Sequence, residues 1–401
     1  MKPHNAQMSV NDQRIRIAIL LGSPLTQDIF YRIGMPYLAD TFDVTIIDCA
    51  NWVRVEMEKL TYKKYDYNNL ITVMGETDFK AAINKLKPMY AIDFTGSGPH
   101  IRTIQNILKR TRTKYVAQRL TPCPLPSMLP RSPFMSFTQS VAIFRRAYRW
   151  MFRAISNKNP LPPDIALLAG SRAKDYWTSS SKTILWTGST NYFTLKELQR
   201  IRETGSAKIN IQKSKFVLFI DDCLSLSMDY KITDHSRPIE SDEYFDLLLQ
   251  TFANIEEILS IPIIIAAHPN GKEIPDYASL FGGRAVYFNA TAELSLDCEI
   301  ALTHCSTAVA YPVLLRKPIV ILNAQNLQNT FHGNQIDIMH RLLKCPVLFM
   351  ESDFSCCEKI ITKAMVMDKS AYDDYEKSYI INGCSSDTNP FQGFVRFATS
   401  R

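Results

Sequence analysis

Apolar residues gather in short runs that stop at small or polar turns. RIRIAILL (Arg14–Leu21) ends at Gly22-Ser23-Pro24, and YAIDF (Tyr90–Phe94) ends at Thr95-Gly96-Ser97-Gly98. Runs of about four to eight apolar residues bounded in this way read as buried strands. Val44–Ile47, Ile165–Leu168 and Thr183–Trp186 are three more in the first half. The pattern restarts at Phe216–Ile220 (FVLFI) and continues through Ile261–Ala267, Ala285–Phe288, Ile300–Thr303 and Ile319–Leu322. Between these runs the apolar spacing changes to threes and fours, most clearly over Glu243–Leu259. Strands that alternate with helices predict an α/β fold with parallel sheets.

A polar stretch, Gly205–Lys215, separates the two series of strands. The expected domains are therefore 1–205 and 206–370, followed by a tail, 371–401. That tail carries Tyr372, Tyr375, Tyr379, Phe391 and Phe394, which suits a segment crossing back onto the first half. A length of 401 residues fits two domains at about 100–200 residues each.

Composition removes several classes. With 46% apolar and 21% charged residues, the chain is neither disordered, collagenous nor a coiled coil. Nine cysteines without a CxxC pair read as reduced thiols, not as a disulfide framework or zinc site. No apolar run reaches the ~18–20 residues that span a bilayer. Met1 to Arg14 is polar and without an apolar h-region, so no signal peptide is expected and a cytoplasmic location is.

Charge is uneven. The 70 residues from Phe94 to Pro163 hold no Asp or Glu but 12 Lys and Arg, and the rest of the chain is net −5. A field of one sign attracts anions: nucleic acid, anionic lipid or a charged acceptor. Within this stretch, after a proline-rich loop (Pro122, Pro124, Pro126, Pro130, Pro133), segment 140–156 is amphipathic. Val141, Phe144, Tyr148, Met151 and Ile155 share one helical face, and Arg145, Arg149 and Arg153 another. A basic amphipathic helix suits a membrane interface, as it suits packing on its own domain. No recognised nucleic-acid module is present, so nucleic acid is not the expected partner.

Three polar clusters each follow a strand in the second half. In open α/β sheets ligands bind outside the carboxyl ends of strands, so these clusters are candidates to converge. Asp221-Asp222 follows FVLFI and offers a general base, a ligand contact or a turn cap. His268-Pro269 follows IPIIIAA; the proline holds His268 extended, placing its imidazole to meet a phosphate. Ser306-Thr307 follows IALTHC and opens a helical stretch, as an anion site or an ordinary cap. His304 reads as a core histidine. Asp93, at the end of YAIDF, is an alternative base.

The order of these clusters, ending in Lys317-Pro318-Ile319, resembles the C-terminal half of bacterial GT-B glycosyltransferases. It is most similar to the sialyltransferases and Kdo transferases that build surface polysaccharide and lipopolysaccharide. The resemblance covers about residues 215–325 and is only architectural before 205. It implies a GT-B-like fold of two Rossmann-like parallel-sheet domains facing a central cleft. It implies a metal-independent, inverting transfer from a nucleotide-sugar, a CMP-sugar first, to a glycan or glycolipid acceptor at the inner membrane face. His268, Pro269, Ser306 and Thr307 would meet the donor phosphates, and Asp221 or Asp222 would match the acidic motif. Two departures stand out: Cys223 occupies the acidic motif's usual glycine position, and no acid follows Ser306-Thr307 before Asp337. Glu293 is the substitute candidate for the missing ribose ligand. No Asp-x-Asp occurs, so no catalytic metal is expected; Arg284, Arg316 and Lys317 are nearby cations. Alternatives on the same fold are a CDP-polyol phosphotransferase of teichoic-acid type and a non-catalytic binding subunit. A sugar-nucleotide epimerase leaves the basic helix without a purpose.

Overall fold

A computed structural model describes residues 14–54, 65–96, 98–122, 124, 161–176, 181–204, 215–226, 237–383 and 389–400. Segment 140–156 and residues 205–214 of the expected boundary lie outside the described residues.

The strands form two all-parallel sheets. The first holds β1 (Arg16–Leu21), β2 (Asp43–Asp48), β3 (Leu70–Thr72), β4 (Tyr90–Phe94), β5 (Lys114–Arg119), β6 (Ile165–Ala169) and β7 (Thr183–Thr187), in the order β3-β2-β1-β4-β5-β6-β7. The second holds β8 (Val217–Ile220), β9 (Ile263–Ala267), β10 (Val286–Phe288), β11 (Ile300–Thr303), β12 (Ile319–Asn323) and β13 (Val347–Phe349), in the order β10-β9-β8-β11-β12-β13. Strand order reverses between β1 and β4 in one sheet and between β8 and β11 in the other. Such reversal points open a crevice at the carboxyl ends of the strands.

The apolar runs sit where their composition requires. IALLA of β6 and IVILN of β12 are buried at every position, because helices cover both faces of a parallel sheet. Each such Ile, Leu or Val contributes about 1.5–3 kcal/mol by leaving water.

The chain passes between the domains twice. A linker helix, Thr190–Glu203, capped by the Ser189 hydroxyl, leads from β7 toward the second sheet. On the return, Ser189 donates its amide to Ile380 O at 2.7 Å, and Gly170 lies so close to Ser378 O that a Cβ would stand 2.4 Å away. The final helix, Pro390–Thr399, then packs into the first domain's core. Phe394 meets Phe42 and Tyr90 at ring distances of 6.1 and 5.3 Å. Across the cleft, Asp28 accepts from Asn289 Nδ2 at 3.1 Å and stands 4.0 Å from Lys272 Nζ. Asp28 follows β1, Lys272 follows β9 and Asn289 follows β10, so the carboxyl ends of the two sheets face each other. Among the described residues, no helix is long and apolar enough to cross a membrane.

Candidate functional site

Asp221 and Asp222 stand at the end of β8, the strand on which the second crevice opens. Each carboxylate reaches sideways to a different neighbouring strand. Asp221 Oδ2 accepts from the His268 amide at 2.9 Å, at the end of β9, and from Tyr277 Oη at 2.7 Å. Its Oδ1 accepts from the Cys223 amide at 2.8 Å. Asp222 Oδ2 accepts from the Cys305 amide at 2.8 Å, at the end of β11, and its carboxylate also bonds the Ser306 hydroxyl. One pair of adjacent residues thereby staples the His268 loop on one side and the Ser306 loop on the other.

Burial raises the pKa of both carboxyls. Asp221 is 4% exposed, and its three donors only partly offset the cost of removing charge from water. Asp222 is half-buried and pushed up to about 7, by desolvation first and by the charge of Asp221 besides. Asp221, saturated with donors, is a brace. Asp222, with partial exposure, is the less enclosed member of the pair.

Cys223 has φ 52, in the left-handed region that favours glycine.

His268 caps the 3-10 turn Pro269–Glu273, its Nδ1 accepting from the Asn270 amide at 3.2 Å. That bond leaves the proton of a neutral ring on Nε2. Pro269 is exposed beside it. Ser306 caps the 3-10 turn Thr307–Val309 in the same manner, Oγ accepting from the Ala308 amide at 3.3 Å. Thr307 is exposed, and its carbonyl accepts from Asn191 Nδ2 of the linker helix at 3.1 Å. The sequence places Ser306-Thr307 at the start of a helix; the structure has a three-residue 3-10 turn followed by the short helix Ala310–Leu314. A turn this short sums few peptide dipoles, so its N-terminus carries little of a full helix's positive end.

Asp221, Asp222, His268 and Ser306 are thus brought together by direct bonds, with Pro269 and Thr307 on the flanking turns. Glu293 lies in the first turn of the helix Thr291–Asp297, where its charge acts on Arg202 of the linker helix.

Other candidates fall elsewhere. His304 is 0% exposed: Nδ1 donates to Leu322 O and Nε2 accepts from Tyr244 Oη, each at 2.9 Å. Burial lowers its pKa to about 4, so it is a neutral spacer beneath the Ser306 loop. Arg284 pairs with Glu256 at 2.6 Å and precedes β10, at the opposite end of the sheet from the crevice. Arg316 pairs with Asp373 and Glu376, and Lys317 likewise precedes β12. These three cations are too far round the sheet to neutralise a ligand at His268. Asp93 is also committed, accepting from the Thr95 amide and hydroxyl and from Tyr115 Oη. Sequence reasoning missed Tyr277, Lys272 and Asn191. Among the described residues, no cluster of His, Cys, Asp and Glu is arranged to hold a metal ion.

No family model matches the chain, and no curated protein does. Solved structures do. The UDP-GlcNAc 2-epimerase of Methanocaldococcus jannaschii in complex with UDP-GlcNAc and UDP is 12% identical, covers 96% of this chain and 100% of its own, and has a TM-score of 0.51. The wall teichoic acid polymerase TagF with CDPG is 12% identical over 96% and 87%, at 0.48. The calicheamicin glycosyltransferase CalG4 is 8% identical over 90% and 92%, at 0.47. At these identities the likeness is one of fold. The class defined is GT-B-like: two Rossmann-like domains with parallel sheets, set face to face across a cleft.

Proposed function

We propose that this protein is a GT-B glycosyltransferase that moves a sugar from a nucleotide-activated donor to a surface-polysaccharide or lipopolysaccharide acceptor. One observation carries the reading: two adjacent carboxylates at the end of the central strand hold two polar loops on either side of the crevice. His268, Pro269, Ser306 and Thr307 form the walls against which the donor's phosphates would lie. The leaving phosphate gains charge as the glycosidic bond breaks, and the imidazole and hydroxyls are the groups that stabilise it. Asp222 takes the proton of the attacking hydroxyl, since a base titrating near neutrality is both free to accept and strong enough to pull. Attack opposite the leaving group inverts the anomeric centre.

The motif order supports a cytidine donor, CMP-sugar first. The basic first domain supports an anionic or membrane-borne acceptor, with 140–156 as the candidate membrane contact. Charge neutralisation by side chains supports a reaction that EDTA leaves unchanged.

Thermal unfolding against millimolar CMP, CDP, UDP, GDP and ADP, with EDTA present, tests this. A ligand at 100 times its Kd stabilises the folded state by about 2.7 kcal/mol. A rise in Tm with CMP or CDP alone, lost in His268→Ala and Ser306→Ala, is the expected result. A rise with UDP alone discards the CMP donor but keeps the transferase. Conversion of UDP-GlcNAc to its 2-epimer without any acceptor replaces transfer by epimerisation. Silence with every nucleotide leaves a non-catalytic subunit.

A further inference from the structure

The first crevice, at the β1/β4 reversal, has its own cluster of polar groups. Two glycines follow β4: Gly96 is overlain by Arg54 from beyond β2, and Gly98 by the ring of His100, two residues on. Gly96 has φ 85, and a Cβ there would stand 2.9 Å from Arg54 Nη2. A Cβ on Gly98 would stand 2.4 Å from the His100 ring. Arg54 comes from beyond the end of β2, so its side chain arches over the end of β1 to reach the β4 loop. No carboxylate pairs with Arg54 among the described residues. His100 Nε2 is buried with no hydrogen-bond partner. An unmet buried polar atom costs about 1–3 kcal/mol, and that cost is recovered when a ligand meets it. The acid beneath, Asp93, is consumed by Thr95 and Tyr115. Its charge and that of Arg54 act on the His100 ring in opposite senses, while burial lowers the imidazole's pKa most.

We propose that Arg54 and His100, laid over Gly96 and Gly98, form an anion subsite that takes a phosphate or carboxylate group of the acceptor. The word acceptor rests on the transferase reading above; the anion does not. Gly96, at φ 85, holds a left-handed backbone that glycine adopts without strain, and the two side chains lie in the space a Cβ would take at each position. The guanidinium supplies a fixed charge and a fork of donors, and His100 a donor screened from bulk water, where an ionic hydrogen bond is strongest. The subsite faces the donor loops across the cleft.

The probes are inorganic phosphate and glucuronate, added to histidine-labelled protein carrying Ser306→Ala to silence the donor side. The His100 imidazole signal, assigned by its loss in His100→Gln, is followed against pH. A bound anion favours the imidazolium, so the midpoint should move up by about half a pH unit or more. Arg54→Ala should remove most of that movement and Arg54→Lys only part of it; Arg54 is exposed, so both variants should fold. A response to phosphate alone assigns a phosphorylated acceptor, and a response to both probes assigns any anionic one. An unmoved midpoint with either probe, or movement undiminished in Arg54→Ala, overturns the subsite. If His100 responds while no nucleotide stabilises the protein, the transferase reading fails and the subsite stands.

Discussion

At the scale of single residues, the acidic pair decides how the protein answers to pH. Asp222 titrates near 7 in the folded chain and in the ordinary carboxylate range when unfolded. Between those values the folded state holds a proton that the unfolded state has released, so this group's contribution makes stability fall as pH rises from about 4 to about 7. Asp222→Asn removes the penalty while its amide oxygen still accepts from Cys305. The variant should gain in Tm over the parent as pH goes from 5 to 8, and lose transferase activity by roughly 10²–10⁴-fold if Asp222 is the base. A pH-independent Tm difference would show that Asp222 is ionised throughout. The three polar clusters were legible because each directly follows an apolar run, and a strand end is visible in one dimension. Tyr277 and Asn191 were not, since their partners Asp221 and Thr307 lie 56 and 116 residues away. The roles within the pair were equally hidden: nothing in Asp-Asp tells which carboxylate is saturated.

At the scale of elements, the ten expected strands are present, because strands buried on both faces are near-continuous apolar runs. Three more were overlooked. Leu70–Thr72 and Val347–Phe349 are three-residue strands at sheet edges, with one neighbour each and, Leu348 apart, no buried side chain. Lys114–Arg119 is interior but begins and ends in polar residues, since it emerges into the first crevice. The final helix is the element with most at stake. Phe394 is fully buried between Phe42 and Tyr90. Phe394→Ala should cost about 3–5 kcal/mol, read as an earlier denaturant midpoint for the first domain with the second domain's transition in place. Simultaneous loss of both transitions would mean the domains do not unfold separately.

At the scale of the whole molecule, the cleft is closed on one rim by Asp28 and bridged on the other by the linker helix. The Asp28 contacts are exposed, and exposed pairs contribute about 0–1 kcal/mol. Asp28→Ala should therefore leave Tm nearly unchanged while letting the domains part, seen as a larger radius of gyration in solution scattering that nucleotide reduces. An unchanged radius would assign closure to the linker side alone. The returning helix has a consequence of a different kind, for the order in which the protein is made. Residues Pro390–Thr399 complete a core whose other walls are synthesised more than 200 residues earlier. On the ribosome the first sheet must wait, with the hydrophobic faces of Phe42 and Tyr90 uncovered, until the whole second domain has emerged. The second domain's core residues are all made before this helix, so that core can close first, and the earlier-made sheet is completed only by Pro390–Thr399.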